Sequence, residues 1–85
     1  MRTNFFKPIA SKSDKAKRLF AAGDLKGALG IIKTFPFGFS REEKRVIEIA
    51  YESLIGREAF YQRLGVDTAA MIAQSKEIIS IKYSL

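Results

Sequence analysis

The pattern of apolar and polar positions is clearest from Phe39 to Gly56, FSREEKRVIEIAYESLIG. Placed at about 100° per residue, this stretch gathers Arg41, Arg45, Glu48 and Glu52 into one narrow stripe. Val46, Ile47, Ile49, Ala50, Tyr51, Leu54 and Ile55 then occupy most of the remaining circumference. An ordinary surface helix needs an apolar stripe only a little over about 100° wide. The pattern therefore predicts a central helix over about residues 41–55, covered on more than one side, with Val46, Ile47, Ala50 and Leu54 at its core. Ser40 followed by Glu43 is a capping-box spacing, in which each side chain bonds the other residue's backbone N–H. Gly56 is placed to close the helix in a left-handed conformation. Within the polar stripe, Arg41/Arg45 and Glu48/Glu52 are like-charge neighbours at i,i+4 that repel weakly.

The flanking segments read as shorter helices. Met1 to Lys12 has no clear period and contains Pro8, which predicts an extended basic arm with Phe5 and Phe6 either folded onto the helices or free. Ser13 or Asp14 can cap a first helix to about Ala22, with Ala16, Leu19 and Phe20 inward and Gly23 as its stop. Asp24 can cap a second helix to about Thr34, with Leu25, Ala28, Leu29 and Ile32 inward. Gly27 and Gly30 weaken that helix by about 1 kcal/mol each relative to alanine, so a neighbouring helix is expected to approach closely there. Beyond Gly56, Arg57 to Leu64 predicts a short helix with Phe60, Tyr61 and Leu64 on one side, ended by Gly65. Asp67 or Thr68 then caps a last helix to about Tyr83 whose inner residues are Met71, Ile72, Ser75, Ile78, Ile79 and the stem of Lys82. Ile81 and Leu85 fall outside that face. Either Ile81 marks a dimer contact, or the chain end bends back over the core. The expectation is an all-α protein: a compact bundle of four to five helices built from helical hairpins around the central helix. It has an N-terminal basic arm at 1–12 and a single helical domain at 13–85.

The run Ala16, Leu19, Gly23, Asp24, Leu25, Ala28 and Leu29 resembles the helix-turn-helix of a single tetratricopeptide repeat, with small residues where the helices cross and a Gly-Asp turn between them. Ser40 stands where that family's closing proline is expected, and one unit does not make a solenoid. The resemblance implies a helical hairpin and carries no peptide-binding residues with it.

Phe35-Pro36-Phe37-Gly38-Phe39 is the most unusual local sequence. Pro36 holds Phe35 extended and Gly38 permits a turn. The three phenylalanines either fill the gap between the first hairpin and the central helix, or form an exposed aromatic platform for a partner protein or unpaired bases. Three exposed phenylalanines would be a costly patch on a monomer, which favours the first arrangement.

Composition narrows the chemistry. The 85 residues contain no cysteine and no histidine, which removes disulfides, thiolate sites, the usual general base and the commonest metal ligand. There is no phosphate-binding glycine loop and no zinc spacing, and the carboxylate pairs Glu42/Glu43 and Glu48/Glu52 are accounted for by capping and solvation. A non-enzymatic protein with no cofactor is expected. No apolar run approaches bilayer length, so no membrane partner is expected, and the absence of cysteine permits a cytoplasmic location.

Charge adds one asymmetry. The net charge is +6, and residues 1–33 carry all of it, with eight basic side chains against Asp14 and Asp24. Residues 34–85 are balanced. Such asymmetry points to an anionic partner. Two functions follow. The first is a protein-interaction or adaptor module that binds another protein, or itself as a homodimer, through Phe37, Phe39 and Ile81. The second is nucleic-acid binding, with Arg2, Lys7, Lys12, Lys15, Lys17 and Arg18 contacting phosphates. The second rests on charge alone, and lysine-rich composition favours backbone contact over base reading. A lysine-rich end that only maintains solubility is its bland counterpart.

Overall fold

The computed structural model of the chain describes residues 7–36 and 38–85, with side chains from Lys12 onward. Arg2, Phe5, Phe6, the Lys7 side chain and Phe37 therefore lie outside the described residues. Those described form an all-α protein: α1 (Lys7–Ala21), α2 (Leu25–Ile32), α3 (Arg41–Glu52), a wide turn over Ser53–Arg57, α4 (Glu58–Arg63) and α5 (Thr68–Tyr83).

Helix α1 begins at Lys7, inside the segment expected to be an extended arm. Pro8 is compatible with this because it stands in the first turn, where backbone N–H groups have no intrahelical acceptor. Gly23 stops α1 with φ 89°. The Asp24 amide returns to the Leu19 carbonyl at 2.8 Å, and the Asp24 carboxylate accepts from the Gly27 amide at 2.9 Å to cap α2. α1 and α2 consequently pack together as a hairpin. Of the two glycines of α2, Gly30 meets a neighbouring helix as expected, while Gly27 meets the cap of its own helix. A methyl group at Gly30 would sit 3.1 Å from the Tyr51 ring of α3, and one at Gly27 would collide with the capping carboxylate of Asp24.

The capping box opens α3 as its sequence requires: the Glu43 amide donates to Ser40 Oγ at 3.1 Å, and the Ser40 amide donates to Glu43 Oε1 at 2.9 Å. α3 lies between α2 and α5. It runs antiparallel to α5, since its start meets the end of α5 through Glu43 and Lys82, while the segment after it meets the start of α5 through Glu58 and Thr68. Ala16, Leu29, Ile32, Ile47, Ala50 and Ile79 form the buried cluster between these four helices. Phe35 and Phe39 of the linker pack against its edge half-buried, the arrangement that the cost of an aromatic patch favours.

The far end of the central helix closes where expected but is not covered as expected. Glu52 and Ser53 keep right-handed helical angles, and Gly56 breaks the helix with φ 113° inside the wide turn. Leu54, expected in the core, is 38% exposed, and Val46 is only half-buried. Apolar character marks what can be buried, but a covering element must also arrive. Here the next element is six residues long and buries none of its own residues.

Candidate functional site

Two surfaces at opposite ends of α3 bring together several side chains that a partner could contact. The first surrounds the linker between α2 and α3. On one side of it, Lys33 from the end of α2 and Arg41, Lys44, Arg45 and Glu48 from α3 line an open cleft of about 360 Å³. Arg41 and Arg45 lie one turn apart on a single helix face. Lys44 Nζ donates to the Phe35 carbonyl at 2.7 Å, and Lys33 Nζ lies 5.1 Å from the centre of the Tyr51 ring. Neither partner is anionic, so both ammonium groups are held in place with their charge uncompensated. Glu48 is the one carboxylate in the lining; Glu43 on the same helix is engaged with Ser40 and with Lys82 at 3.2 Å.

On the other side of the linker, Ser13, Phe35, Gly38, Phe39, Lys82 and Tyr83 line a groove of about 290 Å³. Phe39 and Tyr83 meet edge to face at 6.4 Å. Lys17 lies over Tyr83 at 5.4 Å and Lys82 over Phe39 at 5.3 Å. Burial pushes the Tyr83 phenol up, opposed by its hydrogen bond with Ser13. The Ser40 amide, and after it Lys82, holds the Glu43 carboxyl below its ordinary value.

The second surface is the elbow at Gly56. Leu54, Ile55, Phe60 and Leu64 are 38, 45, 52 and 65% exposed around the bend. Two side-chain hydrogen bonds secure it: Tyr61 donates to Glu52, and Thr68 Oγ1 donates to Glu58 Oε2 at 2.8 Å. The bond to Glu52 is the main reason the Tyr61 phenol is pushed up. The Ser53 hydroxyl, buried in the turn, has no partner among the described residues.

The residues expected to act are spread over three places. Phe39 belongs to the groove, joined by Lys17 from the phosphate-binding set. Lys12, Lys15 and Arg18 are exposed along α1 and line neither cavity. Ile81 is 74% exposed on α5 and lines neither cavity. The cleft was not anticipated from the sequence, although the like-charged pair Arg41/Arg45 was its visible sign. The elbow was hidden because Leu54 and Ile55 look like core residues. No group of three or more Asp or Glu among the described residues is placed to hold a metal ion, and no helix among them is long and apolar enough to cross a membrane. Compared with known protein families, curated proteins and solved structures, the chain finds no match.

Proposed function

We propose that this chain is a non-enzymatic protein-interaction module that docks through its elbow, and that the occupant is a second copy of the chain. One observation carries the reading: Leu54, Ile55, Phe60 and Leu64 are large apolar side chains left 38–65% exposed on a turn and a short helix, α4, that buries none of its own residues. Large apolar side chains exposed close together in the sequence on a small domain are favourable to cover. An isolated helix as short as α4 is marginal in water, so a covering partner also stabilises the element that binds it.

The charges near the patch favour a copy of the same chain. A two-fold contact places one patch against itself, which requires both signs of charge around it. Arg57 and Arg63 alternate with Glu58 and Asp67 along the elbow. Sedimentation velocity from micromolar to millimolar protein tests this. The expected result is a concentration-dependent dimer whose melting temperature rises with concentration, together with a Phe60→Glu/Leu64→Glu variant that stays folded and monomeric. A monomer at every concentration, or a dimer unaffected by both substitutions, would overturn it.

A further inference from the structure

We propose that the cleft formed by Lys33, Arg41, Lys44 and Arg45 is a binding site for the phosphate backbone of single-stranded nucleic acid. The inference is independent of the elbow and differs in place from the α1 lysines that charge asymmetry alone singles out.

The argument begins with uncompensated charge. Four cations and one carboxylate line a single cleft, and the four come from two elements that fold brings together. Lys33 belongs to the basic N-terminal part of the sequence, and the other three belong to the part that is neutral overall. Folding therefore creates a cationic site that neither part contains alone. Its ammonium groups are oriented by neutral partners, the Tyr51 ring and the Phe35 carbonyl. An ammonium has three donors, and Lys44 uses one of them on that carbonyl, so two remain for a ligand.

The spacing favours a chain of phosphates over a single one. Arg41 and Arg45 stand four residues apart on one helix face, about 6 Å along the axis, comparable to the separation of successive phosphates on an extended strand. Each guanidinium offers a planar fork that matches phosphate oxygens. The lining is charged throughout, and the large exposed apolar residues of the elbow lie at the other end of α3. The cleft thus has nothing to insert among acyl chains, which argues against an anionic membrane surface.

The neighbouring groove favours unpaired over paired strands. The bond from Lys44 to the Phe35 carbonyl joins the cleft to a groove lined by Phe35, Phe39 and Tyr83. Backbone-tracking cations beside aromatic rings are the arrangement that binds single strands, where the bases are free to stack. Lys17 and Lys82 cover the Tyr83 and Phe39 rings in the free protein.

Fluorescence anisotropy with a labelled single-stranded oligonucleotide over a range of salt concentrations tests the site. Wild-type binding should weaken steeply with salt, at a slope of about −0.7 per phosphate contact. Arg41→Gln/Arg45→Gln should lower affinity by roughly ten-fold and flatten the slope by about 1.4, the share of two contacts. Both side chains are exposed and glutamine is a good helix former, so an unchanged melting temperature is expected, and Arg45→Gln alone gives a milder second variant. Lys12→Gln/Lys15→Gln/Arg18→Gln should flatten the slope less. Any of four results would overturn the proposal: no salt-dependent binding, equal loss from the α1 variant, tighter binding to duplex of the same sequence, or binding to phosphatidylserine vesicles without binding to the oligonucleotide. The elbow variant should bind the oligonucleotide monomer for monomer as wild type does, which separates this test from that of the dimer.

Discussion

At its first turn α3 is fastened from three directions. Ser40 and Glu43 cap one another, Lys82 reaches Glu43 from α5, and Phe39 lies beside Tyr83. At its last turn the same helix, no less apolar, runs into a glycine bend whose neighbours leave Leu54 and Ile55 more than a third exposed. The first end is a polar and cationic surface because α3 opens with Arg41-Glu42-Glu43-Lys44-Arg45. The second remains partly apolar at its surface because the short α4 that follows covers it only in part. Burial in so small a domain is decided by which elements return to which end, as well as by the side chains themselves.

That contrast can be broken most forcefully in the core between the two ends. Ile47→Ala removes a side chain that is 1% exposed and should cost about 2–5 kcal/mol in chemical denaturation. Leu54→Ala, two turns later, should cost less than about 1 kcal/mol in dilute protein. Equal losses would mean that the elbow is buried in solution even at low concentration.

A smaller effect sharpens the fastened end. Ser40→Ala should cost about 1 kcal/mol by removing the cap of α3. Glu43→Gln keeps a capping acceptor but loses the charge, and its signature lies in pH. Because the folded protein holds the Glu43 carboxyl below its unfolded value, its contribution is present above the ordinary carboxylate range and disappears as pH falls through the lowered value. Wild-type stability should therefore decline on acidification more steeply than that of Glu43→Gln, measured by melting temperature across that range. Parallel curves would show that the cap works without its charge.

The sequence was most informative where a local rule determines the outcome. Gly23, Asp24, Ser40, Gly65 and Asp67 end or begin helices where expected, because capping and left-handed turns depend on neighbours a few residues away. The inner face of α2 was equally legible, with Ala28, Leu29 and Ile32 buried, and so was the buried placement of Ser75 and Ile79 in α5. Gly30 lies against Tyr51, as close helix approach requires.

What could not be read depended on long-range placement. Leu54 and Ile55 belong to a wide apolar arc whether or not an element arrives to cover it. Lys33 joins Arg41 and Arg45 only after the linker folds, so a tally of charge along the chain assigned them to different halves. The start of α1 was missed for a local reason, because Pro8 reads as a helix breaker unless it occupies the first turn.

The Gly56 bend also has a consequence for the timing of motion. Amide protons in α3 and α5, locked around Ile47, Ala50 and Ile79, can reach solvent only when the whole domain opens. Those of α4 are guarded by a single turn of backbone bonds and the two side-chain ties at Tyr61 and Thr68. In deuterated water α4 should exchange before α3 and α5, and contact at the elbow should slow α4 most, slowing α3 and α5 only as far as it raises global stability. The same domain would then keep two clocks, one set by its global stability and one set by whatever rests against the bend.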